Sequence, residues 1–167
     1  MNVPLPAADG APATRPAAPA YPAFVTNWLR IDLALCVVTG LLALAATATS
    51  IVDGDFGGYD AATAIGETLI QYGIATCGIV ANLLLLRRQR AGFGFAAAAL
   101  AFVCAGIALS FHTLQWRIAD PETTCPTETL VGGFVLGLFF RSLLNLIYVD
   151  ALRRAHRFLQ RLPSTSG

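Results

Sequence analysis

Four apolar runs, at about 31–51, 65–86, 93–114 and 130–149, leave this chain little freedom in how it folds. Each is about 20 residues long, which at about 1.5 Å per helical residue matches a hydrocarbon core of about 30 Å. No water reaches that core, so every backbone N–H and C=O must be paired within the segment or within a closed barrel. Runs of this length are helices. The expectation is an all-α integral membrane protein, an antiparallel four-helix (tetraspan) bundle. Composition agrees: 56% of the residues are hydrophobic and 13% charged, where soluble domains run at about 45–50% and about a quarter.

The flanking segments divide the chain. Residues 1–24 are rich in Pro and Ala, which blocks a helix and offers little to bury. They read as a disordered cytoplasmic tail and not as a signal peptide. Residues 25–152 form the four-span domain, and 153–167 a basic cytoplasmic tail. From Asp150 to Leu162 the chain reads as a helix running on into the cytoplasm, a stop-transfer flank more than an amphipathic segment lying on anionic lipid, with His156 an interfacial side chain.

Orientation follows from the Arg residues. Arg15 and Arg30 precede the first span; Arg87, Arg88 and Arg90 fill the second loop; Arg153, Arg154, Arg157 and Arg161 follow the fourth span. The first and third loops hold Arg117 alone, against Asp53, Asp55, Asp60, Asp120, Glu122 and Glu128. The positive-inside rule then places both termini in the cytoplasm and the two acidic loops outside. Trp28 and Tyr148 fall at the inner edge, Tyr59 and Trp116 at the outer. The net charge of +1 offers no basic patch for nucleic acid. The bilayer, other membrane proteins and further copies of the chain are the expected partners.

Small and polar residues recur at helical spacing on every span. The stripes are Asp32, Cys36, Gly40, Ala43, Thr47 and Ser50; then Glu67, Gln71, Ala75, Gly78 and Asn82; then Ala97, Ala101, Cys104, Ala108 and His112; then Gly133, Gly137, Arg141 and Asn145. Lipid tails are as apolar as Leu, so the Leu, Ile, Val and Phe faces should point outward and these stripes inward. Gly133 and Gly137 form a GxxxG, which lets another helix backbone approach closely. Ordinary packing accounts for the small residues.

Packing does not account for Arg141, midway along the fourth span. An Arg at that depth costs about 2.5–3.5 kcal/mol on insertion scales. It needs partners, and the expectation is a cluster of Arg141 with Asn82, Thr39 and Asp32, with Asn145 one turn away. Glu67, Gln71 and His112 make a second candidate cluster toward the outer ends of their spans. A Glu–His pair can relay protons or bind a cation, although two groups wetted in the headgroup zone is the plainer reading.

Catalytic signatures are absent: no GxSxG, HExxH, P-loop or GxGxxG occurs. A single His at membrane depth excludes bis-His haem ligation by this chain alone. No CxxC or Cys/His cluster points to a metal or a redox pair: Cys36, Cys77 and Cys104 sit in apolar runs, and Cys125 alone lies in a polar loop. No cofactor and no catalytic residue is expected. At the level of topology the chain resembles several four-span groups, among them MARVEL-type vesicle proteins and small bacterial accessory subunits, and such a likeness carries no function. The outer-loop Cys signatures of claudin-like and amastin-like proteins are missing. The expected function is a non-catalytic scaffold, assembly factor or accessory subunit of a membrane complex. Behind it stand an oligomeric transport or channel subunit using the polar stripe, and an outer-leaflet lipid- or quinone-handling enzyme using Glu67 and His112.

Overall fold

The computed structural model describes residues 20–53, 61–119 and 126–161. They form four helices: α1 (Ala23–Asp53), α2 (Ala61–Leu86), α3 (Gly92–Ala119) and α4 (Thr127–Arg161). No strand occurs among the described residues, and all four helices are long and apolar enough to cross a membrane. Residues 1–19, Asp55, Tyr59, Asp60, Asp120, Glu122 and Cys125 lie outside the described residues.

Local chemistry sets the helix ends. Pro22 has no N–H to donate, and its carbonyl accepts the Thr26 N–H at 3.2 Å, opening α1. Between α2 and α3 the chain reverses within a few residues. Arg88 stands at a φ of 60°, its N–H bonds the Leu85 carbonyl at 2.8 Å, and the Gln89 N–H bonds the Leu84 carbonyl at 2.8 Å. These two bonds close α2 in a Schellman motif, with Arg where Gly is usual. Pro126 starts α4, its carbonyl accepting the Thr129 N–H at 2.9 Å.

Consecutive helices run antiparallel. Early α1 meets late α2 at Asp32 and Asn82, and late α1 meets early α2 at Thr47 and Tyr72. Between α2 and α3, Gly73 faces Phe102 and Leu85 faces Gly92. Between α3 and α4, Phe111 meets Phe134 and Phe93 meets His156. Helix α4 closes the ring on α1, where the Tyr21 and Phe158 rings lie 4.8 Å apart. Helix α2 packs closely on both α1 and α3, whereas α4 touches α1 and α3 sparsely.

The fully buried side chains that hold α4 gather at one end. The buried core comprises Tyr21, Val25, Leu29, Ala81, Leu85, Ala96, Tyr148, Ala155 and Leu159. All of these lie at the end where the start of α1, the last turns of α4 and the α2–α3 turn gather. Helix α4 runs through residue 153 without a break, and Ala155 and Leu159 bury against the bundle. The helical continuation expected past the fourth span is present up to Arg161, and it packs against the bundle there. Arg90 Nη2 donates to the Leu159 carbonyl at 3.2 Å. His156 packs edge-on against Phe93 and lies 2.9 Å from Gln160. Tyr21, placed in the tail by its Pro-rich context, belongs to the core, and Trp28 packs against it.

The stripes on α1 and α2 face the bundle as expected: Cys36, Ala75, Gly78 and Asn82 are buried. The stripe expected on α3 does not. Ala97, Ala101, Cys104, Ala108 and His112 are all exposed, and α3 buries Gly92, Ala96, Ala99, Gly106 and Thr113 instead. Ala lines nearly every side of this helix, so small size does not select a face. On α4, Gly133 and Gly137 are exposed, and the stripe turns inward only from Arg141 on.

The α1–α2 seam is closest at Gly78, where an added Cβ would lie 2.5 Å from Cys36 Sγ. Gly78→Ala should cost about 1–3 kcal/mol through overpacking, despite the better helix propensity of Ala. Adding Cys36→Ala removes the obstructing sulfur and should restore most of that loss in thermal unfolding. A double variant as unstable as the single one would show that the seam is not limited at this contact.

Candidate functional site

Two polar constellations occupy the bundle, and they differ from those expected. The first lies at the terminal end. Asn82 is completely buried, and its Nδ2 donates to Asp32 Oδ2 at 2.7 Å. The Cys36 thiol, one turn along α1 from Asp32, points at the same oxygen from 3.8 Å. Tyr148 is buried at the same end of the bundle. Four buried polar atoms at this end, Tyr21 Oη, Trp28 Nε1, Asn82 Oδ1 and Tyr148 Oη, have no hydrogen-bond partner. Burial pushes the Tyr21 phenol above its ordinary pKa, against a smaller opposing pull from Arg88, so this hydroxyl is neutral.

Asp32 and Asn82 were expected together and are together. Arg141 was expected with them and is not. It is half-buried, and among the described residues it has neither a hydrogen bond nor an ion pair. Its guanidinium turns toward α3, where Gly106 makes room: a Cβ added at Gly106 would stand 3.2 Å from Arg141 Nη2. There it lines a cavity of about 240 Å³ together with Ile107, Ser110, Phe134, Gly137 and Leu138. The Ser110 hydroxyl donates to the Gly106 carbonyl at 2.7 Å and makes no bond to Arg141. Thr39 and Asn145 are half-buried and neither bonds Arg141. The reason is rotational. The Arg141 face of α4 looks along α3, while Asn82 and Asp32 meet on the α1–α2 seam.

Above Arg141, α4 still meets α3 where Phe134 lies against Phe111, but its glycine face is open. A Cβ built on Gly132, Gly133 or Gly137 would meet no atom within 4 Å. None of the most apolar stretch of α4 is buried. The GxxxG is present, but no helix of this chain fills it.

The outer-end candidates are separated. Glu67 and Gln71 line a groove of about 440 Å³ between α1 and α2, with Thr47, Ser50 and Thr68. His112 is exposed on α3 and does not line it. No hydrogen bond or ion pair joins Glu67 to His112, and no group of three His, Cys, Asp or Glu suited to a metal occurs among the described residues. Sequence reasoning passed over the buried aromatic groups at the terminal end. The signal available was the aromatic set Tyr21, Trp28 and Tyr148 toward one end of the bundle, of which Trp28 and Tyr148 read equally as an interfacial belt. No protein-family model, curated protein or solved structure matches the chain.

Proposed function

We propose that the chain is a multi-pass membrane protein of the cell membrane, with both termini cytoplasmic, that serves as a non-catalytic accessory or assembly subunit of a larger complex. The observation that carries this reading is the open Gly132, Gly133 and Gly137 face of α4. Its small-residue face meets nothing in its own bundle. In lipid, helix association depends on close van der Waals packing and polar contacts, and small residues mark where a neighbouring backbone fits. The Arg distribution supports the orientation. A transport role is favoured only by the polar groove beside Glu67 and would require flux that Glu67→Gln abolishes. The outer-leaflet enzyme reading is left without its Glu67–His112 pair.

Extraction of the full chain from its native membranes in mild detergent, followed by mass determination, tests the proposal. A complex with a defined second membrane protein is expected. The Gly133→Leu/Gly137→Leu variant should lose that protein at least about ten-fold, because two side chains fill the face. Its own thermal midpoint should not move, since the added groups meet open space. A lone monomer, or a complex indifferent to both substitutions, would overturn the reading.

A further inference from the structure

Resting on that reading, we infer that the α3–α4 groove receives a transmembrane helix of another protein that carries a carboxylate near its middle, and that Arg141 pairs with it. The argument begins with charge. Arg141 is the single Arg within the four apolar runs, and the chain has no Lys. Its guanidinium is half-buried, unpaired among the described residues and turned into a groove rather than toward the seam that holds Asp32. A guanidinium in a medium without water demands an anion, and a carboxylate matches its fork geometry with two parallel hydrogen bonds.

Depth narrows the source of that anion. Arg141 lies about 21 Å below the Thr127 end of α4 and about 18 Å above Arg153, at about 1.5 Å per residue. Neither distance is spanned by an Arg side chain, so phosphate headgroups at either surface are out of reach. The anion has to sit at mid-membrane. A second copy of the chain does not supply it. Two-fold pairing through α4 would bring Arg141 against its own symmetry mate. The other carboxylate facing a groove, Glu67, lies about 9 Å below the start of α2, well above the level of Arg141. Asp32 is already engaged by Asn82.

Shape agrees with a helix as the occupant. Gly137 borders the groove at the level just above Arg141, and Gly133 continues the open face one turn farther. A helix backbone laid along this face comes close enough for a short Asp or Glu side chain to reach the guanidinium. Gly106 seats Arg141 from the other side and holds it toward the opening.

The test uses the full chain, fluorescently labelled, in phosphatidylcholine vesicles with a labelled Leu/Ala helix of about 20 residues. Three versions of the peptide carry a central Glu, Gln or Leu. Energy transfer should report association of the Glu peptide on the order of ten-fold tighter than that of the Leu peptide, with Gln between them. Arg141→Leu should erase the preference while the thermal midpoint stays unchanged or rises, because no internal partner is lost. Arg141→Glu should transfer the preference to a peptide with a central Arg. Equal association of all three peptides overturns the inference. So does self-association of the chain that Arg141→Leu abolishes, which would assign the groove to a second copy. Oleate binding that depends on Arg141, without a Glu-peptide preference, would assign it to a lipid carboxylate and also overturns it. The two readings fail separately. A native complex that persists without any Glu preference sinks this inference alone, and a lone native monomer sinks the accessory role.

Discussion

Replacing Asn82 with Leu is expected to lower the thermal midpoint of the detergent-solubilised protein by about 4–8 °C, the fall that about 2 kcal/mol produces in a chain of this size. Asn82 is wholly enclosed, and its amide is the one side-chain group that approaches Asp32 closely, at 2.7 Å. Once it is gone, the Asp32 carboxyl keeps only the Cys36 thiol at 3.8 Å. A thiol is a weak donor, and a carboxyl group left half-satisfied between helices bears nearly its full desolvation cost. The sign depends on removing one partner and not both. Asp32→Leu combined with Asn82→Leu takes away donor and acceptor together, and two apolar groups of similar shape can pack without loss. The double variant should therefore be more stable than Asn82→Leu alone. Asp32→Asn keeps an acceptor at the same place and should stay within about 1 kcal/mol of the parent. Differential scanning of the three proteins decides the matter. A double variant below the single one would mean that the pair is not the source of the loss.

How much of this was legible in the sequence depends on what each signal encodes. Hydropathy located the four helices, because apolar length is what a bilayer demands, and the Arg-poor centres of the runs lie inside α1 to α4. Helix α4 extends twelve residues past Val149 because hydropathy ends where the Arg residues begin, while the helix and its buried Ala155 and Leu159 do not. The Asp32–Asn82 pair was legible because the polar residues on α1 and α2 fall on single stripes and the short loop fixes an antiparallel level. Arg141 was misplaced because a stripe says which residues share a face and not what that face meets. Gly133, Gly137 and Arg141 share a stripe, but the glycines open outward while Arg141 turns toward Gly106 of α3. On α3, Ala on nearly every side left the His112 face and the Ala96–Ala99 face equally small, so the choice rested on one polar residue that turned out exposed.

Leu85→Ala is expected to cost about 3 kcal/mol, a fall of about 6–12 °C, while Leu136→Ala in the apolar stretch of α4 stays within about 0.5 kcal/mol. Both remove the same atoms, and they differ in what surrounds them. Leu85 is fully buried, and its side chain fills the space left by Gly92, where an added Cβ would lie 2.7 Å from Leu85 Cγ. Truncation there opens a cavity that the α2–α3 turn, fixed by the bonds around Arg88, cannot collapse to fill. Leu136 is 58% exposed, and lipid or detergent takes up whatever room it vacates. The same contrast explains where the core sits. Within hydrocarbon no hydrophobic force draws Leu away from lipid, so the bundle gains little by burying it there. On the proposed membrane placement, the end flanked by Arg30, Arg87, Arg88, Arg153 and Arg154 meets water, and burying Val25, Leu29, Leu85 and Leu159 there is driven in the ordinary way. That end would then act as a clamp that holds α4 by its last turns and leaves its glycine face open to pair elsewhere. Leu29→Ala, on the other side of the same core, should match Leu85→Ala in size. If Leu136→Ala proves as costly as either, the stability of the fold resides in its membrane portion and the clamp does not exist.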